Sequence, residues 1–269
     1  MRVRGVIDLR SYADAGDAAP TGDWLTGRAP PAFVDDGASV VALVPVGEGR
    51  VAALPCDEFL IVLSGALTVE SARGMTVINT GRSAVLPAGL SFGWRAAAGT
   101  IAIIVACPAA VPAGDSLPAG DSFAGRSVVP AGDSLPNRSV VPAGDSFAGR
   151  SVTGDIVPID EAASLEPSNP PIADLLVGPT PSCRNHSDYR STNGEFVCGT
   201  WDSTPYHRRA MLYRHIELMH LLDGRVTFKD ATGSVTFSKG DVFLAMRGAE
   251  CAWISQVHVK KVYAIHRPA

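Results

Sequence analysis

The chain has 269 residues, 23 Lys and Arg against 27 Asp and Glu, a formal charge of -4 and 46% hydrophobic residues. This balance excludes the basic face that a nucleic-acid partner needs, and no run of about eighteen apolar residues marks a membrane span. The 27 Gly and 20 Pro promise many turns and point to an all-β chain long enough for two domains of roughly 100 to 130 residues.

The N-terminal stretch MRVRGVIDLRSYADAGDA is too poor in apolar residues for a signal-peptide core. Five cysteines (Cys56, Cys107, Cys183, Cys198, Cys251) are widely spaced and form no CxxC pair, which suits reduced thiols and a cytoplasmic location. From residue 59 onward, alternating apolar segments at 59–63, 66–70, 75–79, 83–86 and 101–105 are separated by turn residues and read as short strands.

A tandem repeat of period twelve follows: LPAGDSFAGRSV at 117–128, VPAGDSLPNRSV at 129–140 and VPAGDSFAGRSV at 141–152, preceded by the half-unit VPAGDS at 111–116. Each unit offers only two or three apolar groups to bury, so residues 111–155 are expected to be a disordered linker. The repeats resemble LPAGLSFGWR at 86–95, which suggests local duplication of that segment.

No amphipathic helix of three turns is legible in the sequence, although residues 160–165 could form a short one. The cluster His207-Arg208-Arg209 reads as a solvated loop, too small to supply the phosphate contacts of a nucleic-acid binder. Strands are expected at 225–229, 234–238 and 242–246, joined by DATG and Lys-Gly-Asp turns.

The two halves match in register. Glu58 and Gly65 enclose six residues, as do Glu217 and Gly224; Gly81 and Gly89 stand eight positions apart, as do Gly240 and Gly248; and a Trp follows five residues later, at Trp94 and Trp253. Two copies of one domain explain these coincidences, with boundaries expected at 1–110 and 156–269.

These residues resemble the cupin superfamily, whose motifs are G(X)5HXH(X)3,4E(X)6G and G(X)5PXG(X)2H(X)3N. The Glu-(X)6-Gly element occurs twice and Gly81-(X)5-Pro87-X-Gly89 matches the second motif, while Met246 replaces the proline of the second copy. Trp201, Gly240-Asp241, Trp253 and the Lys260-Lys261-Val262-Tyr263 ending look like the subgroup of ethanolamine-utilisation proteins and ureidoglycine aminohydrolases. The resemblance implies two cupin-like barrels in tandem, each a double-stranded β-helix or jelly roll.

Cupin barrels hold a divalent metal through three His and one Glu, since imidazole and carboxylate suit Mn, Fe, Ni or Zn. Here the histidine positions carry Leu54 and Ala52, or Ala53 and Val51, with Phe92 in the first half. In the second they carry Tyr213 and Met211, or Leu212 and Ala210, with Cys251. No metal or other cofactor is therefore expected. The alternative is a transition metal on His215 and Glu217, completed by His258 or Cys251.

A strand through Tyr213, His215, Glu217, Met219 and Leu221 puts all five on one face and turns His220 to the other. Glu58 and Glu217 begin buried strands, where an ionised carboxylate is costly. Each could be a general acid or base with a raised pKa, a clamp for a substrate amine, or an acceptor of backbone hydrogen bonds. Trp94 and Trp253 are ligand walls or barrel packing.

The leading expectation is a metal-free bicupin, a homodimer, binding a small polar metabolite in the second barrel. Glu217 and His215 would be its catalytic candidates, and Tyr213, Cys251 and Trp253 its ligand contacts, with Glu58 and Trp94 the matching positions of the first barrel. The alternatives are a metal-dependent aminohydrolase, isomerase or dioxygenase, and a structural or regulatory bicupin that docks another protein at a sheet edge.

Overall fold

A computed structural model describes residues 3–15, 18–35, 37–107 and 154–268. The repeats, and with them the expectation of a disordered linker, lie outside the described residues.

Alternating apolar residues in short segments can bury only one face each, so they pair into sheets that close on one another. In the first half a large sheet runs in the order Val157–Pro158, Ser83–Leu86, Asp57–Ser64, Ile101–Cys107, Ala38–Pro45 and Pro20–Thr21, with Phe33–Asp35 also on Ala38–Pro45. It faces a four-stranded sheet of Gly47–Val51, Phe92–Ala96, Ala66–Ser71 and Gly74–Asn79.

The second half repeats this plan. Its large sheet runs Val6–Asp8, Val242–Ala245, Ile216–Asp223, Val259–His266, Phe196–Ser203, Cys183–Arg190 and Glu166–Ser168. Its small sheet runs Tyr206–Leu212, Glu250–Ser255, Arg225–Lys229 and Ser234–Ser238. The fold is thus all-β, with two cupin-like barrels in tandem.

The strands at 225–229, 234–238 and 83–86 fall where the alternation put them; the others differ by one or two residues at one or both ends, except that the strand expected from Tyr213 begins only at Ile216. Residues 160–165 form no helix. Asp160 instead accepts a hydrogen bond from the Ala162 amide, and the Ala163 amide donates to the Asp160 carbonyl, which makes a turn. The α-helix that is present, Leu9–Asp14, is capped by Asp8, whose side chain accepts from the Arg10 and Ser11 amides.

The matched glycines have a shared physical cause. Gly65 and Gly224 adopt φ of +75° and +78° after equivalent strands. A Cβ on Gly224 would stand 2.0 Å from the His258 carbonyl oxygen, and one on Gly65 would stand 2.5 Å from Thr100 Oγ1. Only glycine fits such a turn.

The central strands of each large sheet are buried on both faces. In Asp57–Ser64, Leu60 and Val62 join the interior of the first barrel, while Phe59 and Ile61 join a cluster that also contains Phe196, Ile216, Leu218, Val262 and Ala264 of the second half. Period-two alternation thus builds one core inside each barrel and a third between the two large sheets. Each Leu, Ile or Phe fully buried there contributes about 2 kcal/mol of hydrophobic stabilisation. Two strands tie the halves further: Val6–Asp8 extends the second half's sheet beside Val242–Ala245, and Val157–Pro158 extends the first half's beside Ser83–Leu86. No helix among the described residues is long and apolar enough to cross a membrane.

His220 does alternate away from Glu217 and is buried toward the first half, its Nδ1 without a partner. Burial, aided by the Arg10 and Arg82 charges, lowers its pKa from 6.5 to about 4. The folded state therefore resists protonation that the unfolded chain accepts, and stability falls as pH drops from about 6.5 toward 4. Equilibrium urea denaturation should show this group removing about 2 kcal/mol between pH 7 and pH 5, and His220→Leu should abolish that part of the pH dependence. Parallel pH profiles for the two proteins would contradict the assignment.

Candidate functional site

Although built alike, the two barrels differ in what fills them. Trp24, on the arm before the first barrel, inserts into that barrel's core beside Phe92 and Trp94, with ring centroids 5.3 and 6.0 Å away. Its indole Nε1 donates to Glu58 Oε2 at 3.0 Å, and Arg28 NH2 donates to Glu58 Oε1 at 2.6 Å. Glu58 is wholly buried and both its oxygens are satisfied by the arm. The sequence left Glu58 and Trp94 as either ligand contacts or structural residues of the first barrel. Both pack around Trp24, because an arm distant in sequence supplies the partners that a ligand would otherwise provide.

The second barrel keeps a cavity of about 250 Å³. Tyr213, His215, Glu217 and Trp253 line it, although the strand begins only at Ile216 and leaves Tyr213 and His215 in the segment before it. Cys251 does not: it is fully buried in the barrel's apolar cluster and presents to the site only a carbonyl that accepts from Arg208 NH2 at 3.4 Å. Burial pushes its thiol pKa up to about 11, so it is no thiolate at neutral pH.

At one wall of the cavity Lys261 Nζ donates to Glu217 Oε1 at 2.7 Å and lies over the rings of Trp201 and Trp253, 4.8 and 5.1 Å from their centroids. Both side chains of this ion pair are at least nine-tenths buried. Trp201 meets Trp253 edge-on at 6.1 Å, and Tyr206 stacks on Trp253 at 5.8 Å. The walls are thus aromatic and stiff, with a cation–π contact on each side of the ammonium.

Of the alternatives for Glu217, a raised pKa is not what the barrel produces. Burial pushes its carboxyl upward, but the Lys261 charge and the nearby His215, with Nε2 at 3.7 Å from Oε2, bring it down to about 2. A carboxylate so firmly ionised is a poor proton donor near neutral pH and suits electrostatic orientation of a ligand instead. His215 Nδ1 lies 3.5 Å from Arg267 NH2.

Arg208 is the largest departure from the sequence reading. It was read as part of a solvated loop, yet it sits in the strand Tyr206–Leu212 and is only 5% exposed. Its guanidinium lies over the Tyr213 ring, 5.3 Å from the centroid, and NH2 donates to Tyr213 Oη at 3.3 Å. Burial pushes the Tyr213 phenol pKa up, with Arg208 opposing it. The available signal was the alternation of Tyr206, His207 and Arg208. A bulge between Arg208 and Met211 breaks that period before it can be followed into the next strand. Lys261, quoted only within a resemblance, and Tyr206 were likewise not picked out as site residues.

The metal common in cupin barrels does not fit these residues. No group of three or more His, Cys, Asp or Glu that could hold a metal ion occurs among the described residues. A cation at Glu217 would stand beside the Lys261 ammonium that already holds Oε1. Neither residue proposed to complete the set is at hand: Cys251 does not line the cavity, and His258 is engaged with Asp202 at 3.1 Å and Asp223 at 3.9 Å.

Comparison with known proteins agrees with this architecture. Residues 190–263 match the EutQ-like cupin domain. A crystal structure of a protein of unknown function from the DUF861 family of Pseudomonas syringae pv. tomato is similar with 27% identity and a TM-score of 0.69, over 87% of this chain and 85% of that one. The HEPD of Streptomyces albus, solved with 2-hydroxyethylphosphonate and Fe(II), shares the fold alone: 10% identity and a TM-score of 0.50 over 99% of this chain and 77% of the other. No curated protein matches the chain. The domain match within the second barrel, the relative spanning both halves and the repeated pairing of a large with a four-stranded sheet together place the chain in the cupin superfamily.

Proposed function

We propose that the protein binds a small polar metabolite in the second barrel, without metal, and that the first barrel serves as its structural support. The observation that carries this reading is the contrast between the barrels. One interior is filled by Trp24 and its hydrogen bond to Glu58, while the other keeps a cavity of about 250 Å³ walled by Trp201, Tyr206 and Trp253 with an ion pair inside it. Apolar walls with a few convergent polar groups are the usual form of a small-molecule site. Buried polar atoms of cavity-wall residues, Trp253 Nε1 and Asn185 Oδ1, have no partner among the described residues and favour a polar occupant. Glu217, His215 and Tyr213 are the ligand-orienting residues in this reading.

A thermal-shift panel of amino acids, hydroxy acids, amines and sugars tests it on the full chain and on Ile265→Trp, which places bulk in the cavity from its wall. At a hundredfold excess over Kd a true ligand stabilises the native state by about 2.7 kcal/mol. A shift is expected in the unaltered protein and not in the filled variant. No shift across the panel, or equal shifts in both proteins, would contradict the reading.

A further inference from the structure

The cavity carries a buried charge that nothing in the barrel answers. Arg208 is 5% exposed, and among the described residues no carboxylate lies within ion-pair distance of its guanidinium. Its contacts are a neutral phenol, a backbone carbonyl and an aromatic face. Every other buried cation or carboxylate near it has a partner: Lys261 has Glu217, and Glu217 has Lys261 and His215. A guanidinium buried without a counter-charge is costly, and such positions normally hold a pair.

A second donor points the same way. Trp253 is the direct cross-strand neighbour of Arg208, and its indole Nε1 is buried without a hydrogen-bond partner. Both residues line the cavity. Four cations, Arg190, Arg208, Lys261 and Arg267, line it against two carboxylates, Glu195 and Glu217. A guanidinium held only by neutral groups, beside an N–H with no acceptor on a positive wall, is a receptor for a planar anion, which a carboxylate satisfies with two oxygens.

We infer that the second barrel recognises an organic carboxylate, anchored by Arg208 and the Trp253 indole N–H, with a flat apolar body against Trp201 and Tyr206. This assignment rests on the pocket reading given above and adds the charge and shape of the ligand. The Lys261–Glu217 pair then faces the rest of the molecule as a fixed dipole and is not consumed in neutralising the carboxylate. In the ligand-free protein Arg208 is a stability liability retained for binding, so Arg208→Gln should melt no lower than the unaltered chain.

Calorimetric titration of the full-length protein with matched acid and amide pairs tests the inference: acetate and acetamide, glycolate and glycolamide, benzoate and benzamide, with inorganic phosphate as a further anion. In at least one pair the acid is expected to bind tenfold or more tightly than its amide. Arg208→Gln should erase that preference, and Trp253→Phe, which keeps the ring but removes the N–H, should weaken the acid severalfold. Amides binding as well as acids, or acid binding unaltered in Arg208→Gln, would overturn the carboxylate anchor while leaving the pocket reading intact. Phosphate binding as tightly as the best acid would replace the organic carboxylate with a general anion site. If no pair binds, this inference fails. If the metabolite panel is also silent, the pocket reading fails with it.

Discussion

Lys261→Met is expected to destabilise the protein by about 3–5 kcal/mol at pH 7, the cost of leaving a buried carboxylate without its cation. The Glu217 side chain is only 10% exposed, so little water is available to replace the ammonium as its partner. The Met219 sulfur that also receives Lys261 at 3.3 Å is no substitute acceptor or donor for the carboxylate. Adding Glu217→Gln should recover most of the loss, because an amide in place of the carboxylate removes the charge that lacks a partner.

The pH dependence gives this prediction its sign. In the unaltered protein the Glu217 pKa is depressed from 4.5 to about 2, so its contribution is full above about 4.5 and disappears as pH falls through 2. Without Lys261, burial is left opposed chiefly by His215, and the pKa rises. The deficit of Lys261→Met should therefore be largest at neutral pH and shrink in mild acid as Glu217 takes up a proton. Urea denaturation at pH 7.5 and pH 5 measures both quantities. A variant within about 1 kcal/mol of the parent at both pH values would mean that the pair is immaterial to folding.

The second large effect is expected at Trp24. Trp24→Ala should cost about 3–5 kcal/mol, the range for deleting a buried aromatic side chain and leaving a cavity. Here the loss includes the indole donor to Glu58 Oε2, with Arg28 left as the ion-pair partner at Oε1. Trp24→Phe should cost less, since it keeps an aromatic body against Phe92 and Trp94 but gives up the N–H. If Trp24 fills the first barrel as a plug, free indole should raise the melting temperature of Trp24→Ala and leave that of the parent unmoved. An absence of rescue together with a small loss would indicate that the barrel closes without it.

This asymmetry bears on how related barrels come to do different work. The same strand layout and the same Glu-(X)6-Gly element serve both halves, yet Glu58 ends in an ion pair with an arm and Glu217 in an ion pair within its own barrel. Fold is shared while chemistry resides in what each carboxylate meets.

The sequence by itself determined the repeated architecture. Strand alternation and positive-φ turns at Gly65 and Gly224 are local properties, carried by residues a few positions apart, and so is the equal spacing of Glu58 and Glu217 from those turns. Tyr213 and His215 reach the cavity that Glu217 lines from the segment between the strands Tyr206–Leu212 and Ile216–Asp223, so strand alternation does not account for them. Tertiary structure alone decided the rest. Trp24 and Glu58 are separated by 34 positions, Glu217 and Lys261 by 44, and nothing local couples either pair. The burial of Arg208 depends on a bulge that shifts the strand's phase, and the pKa of Glu217 depends on which charge its barrel brings beside it. A carboxylate at the start of a buried strand announces that a partner must exist. Long-range packing chooses the partner, and with it whether the barrel is filled or left open.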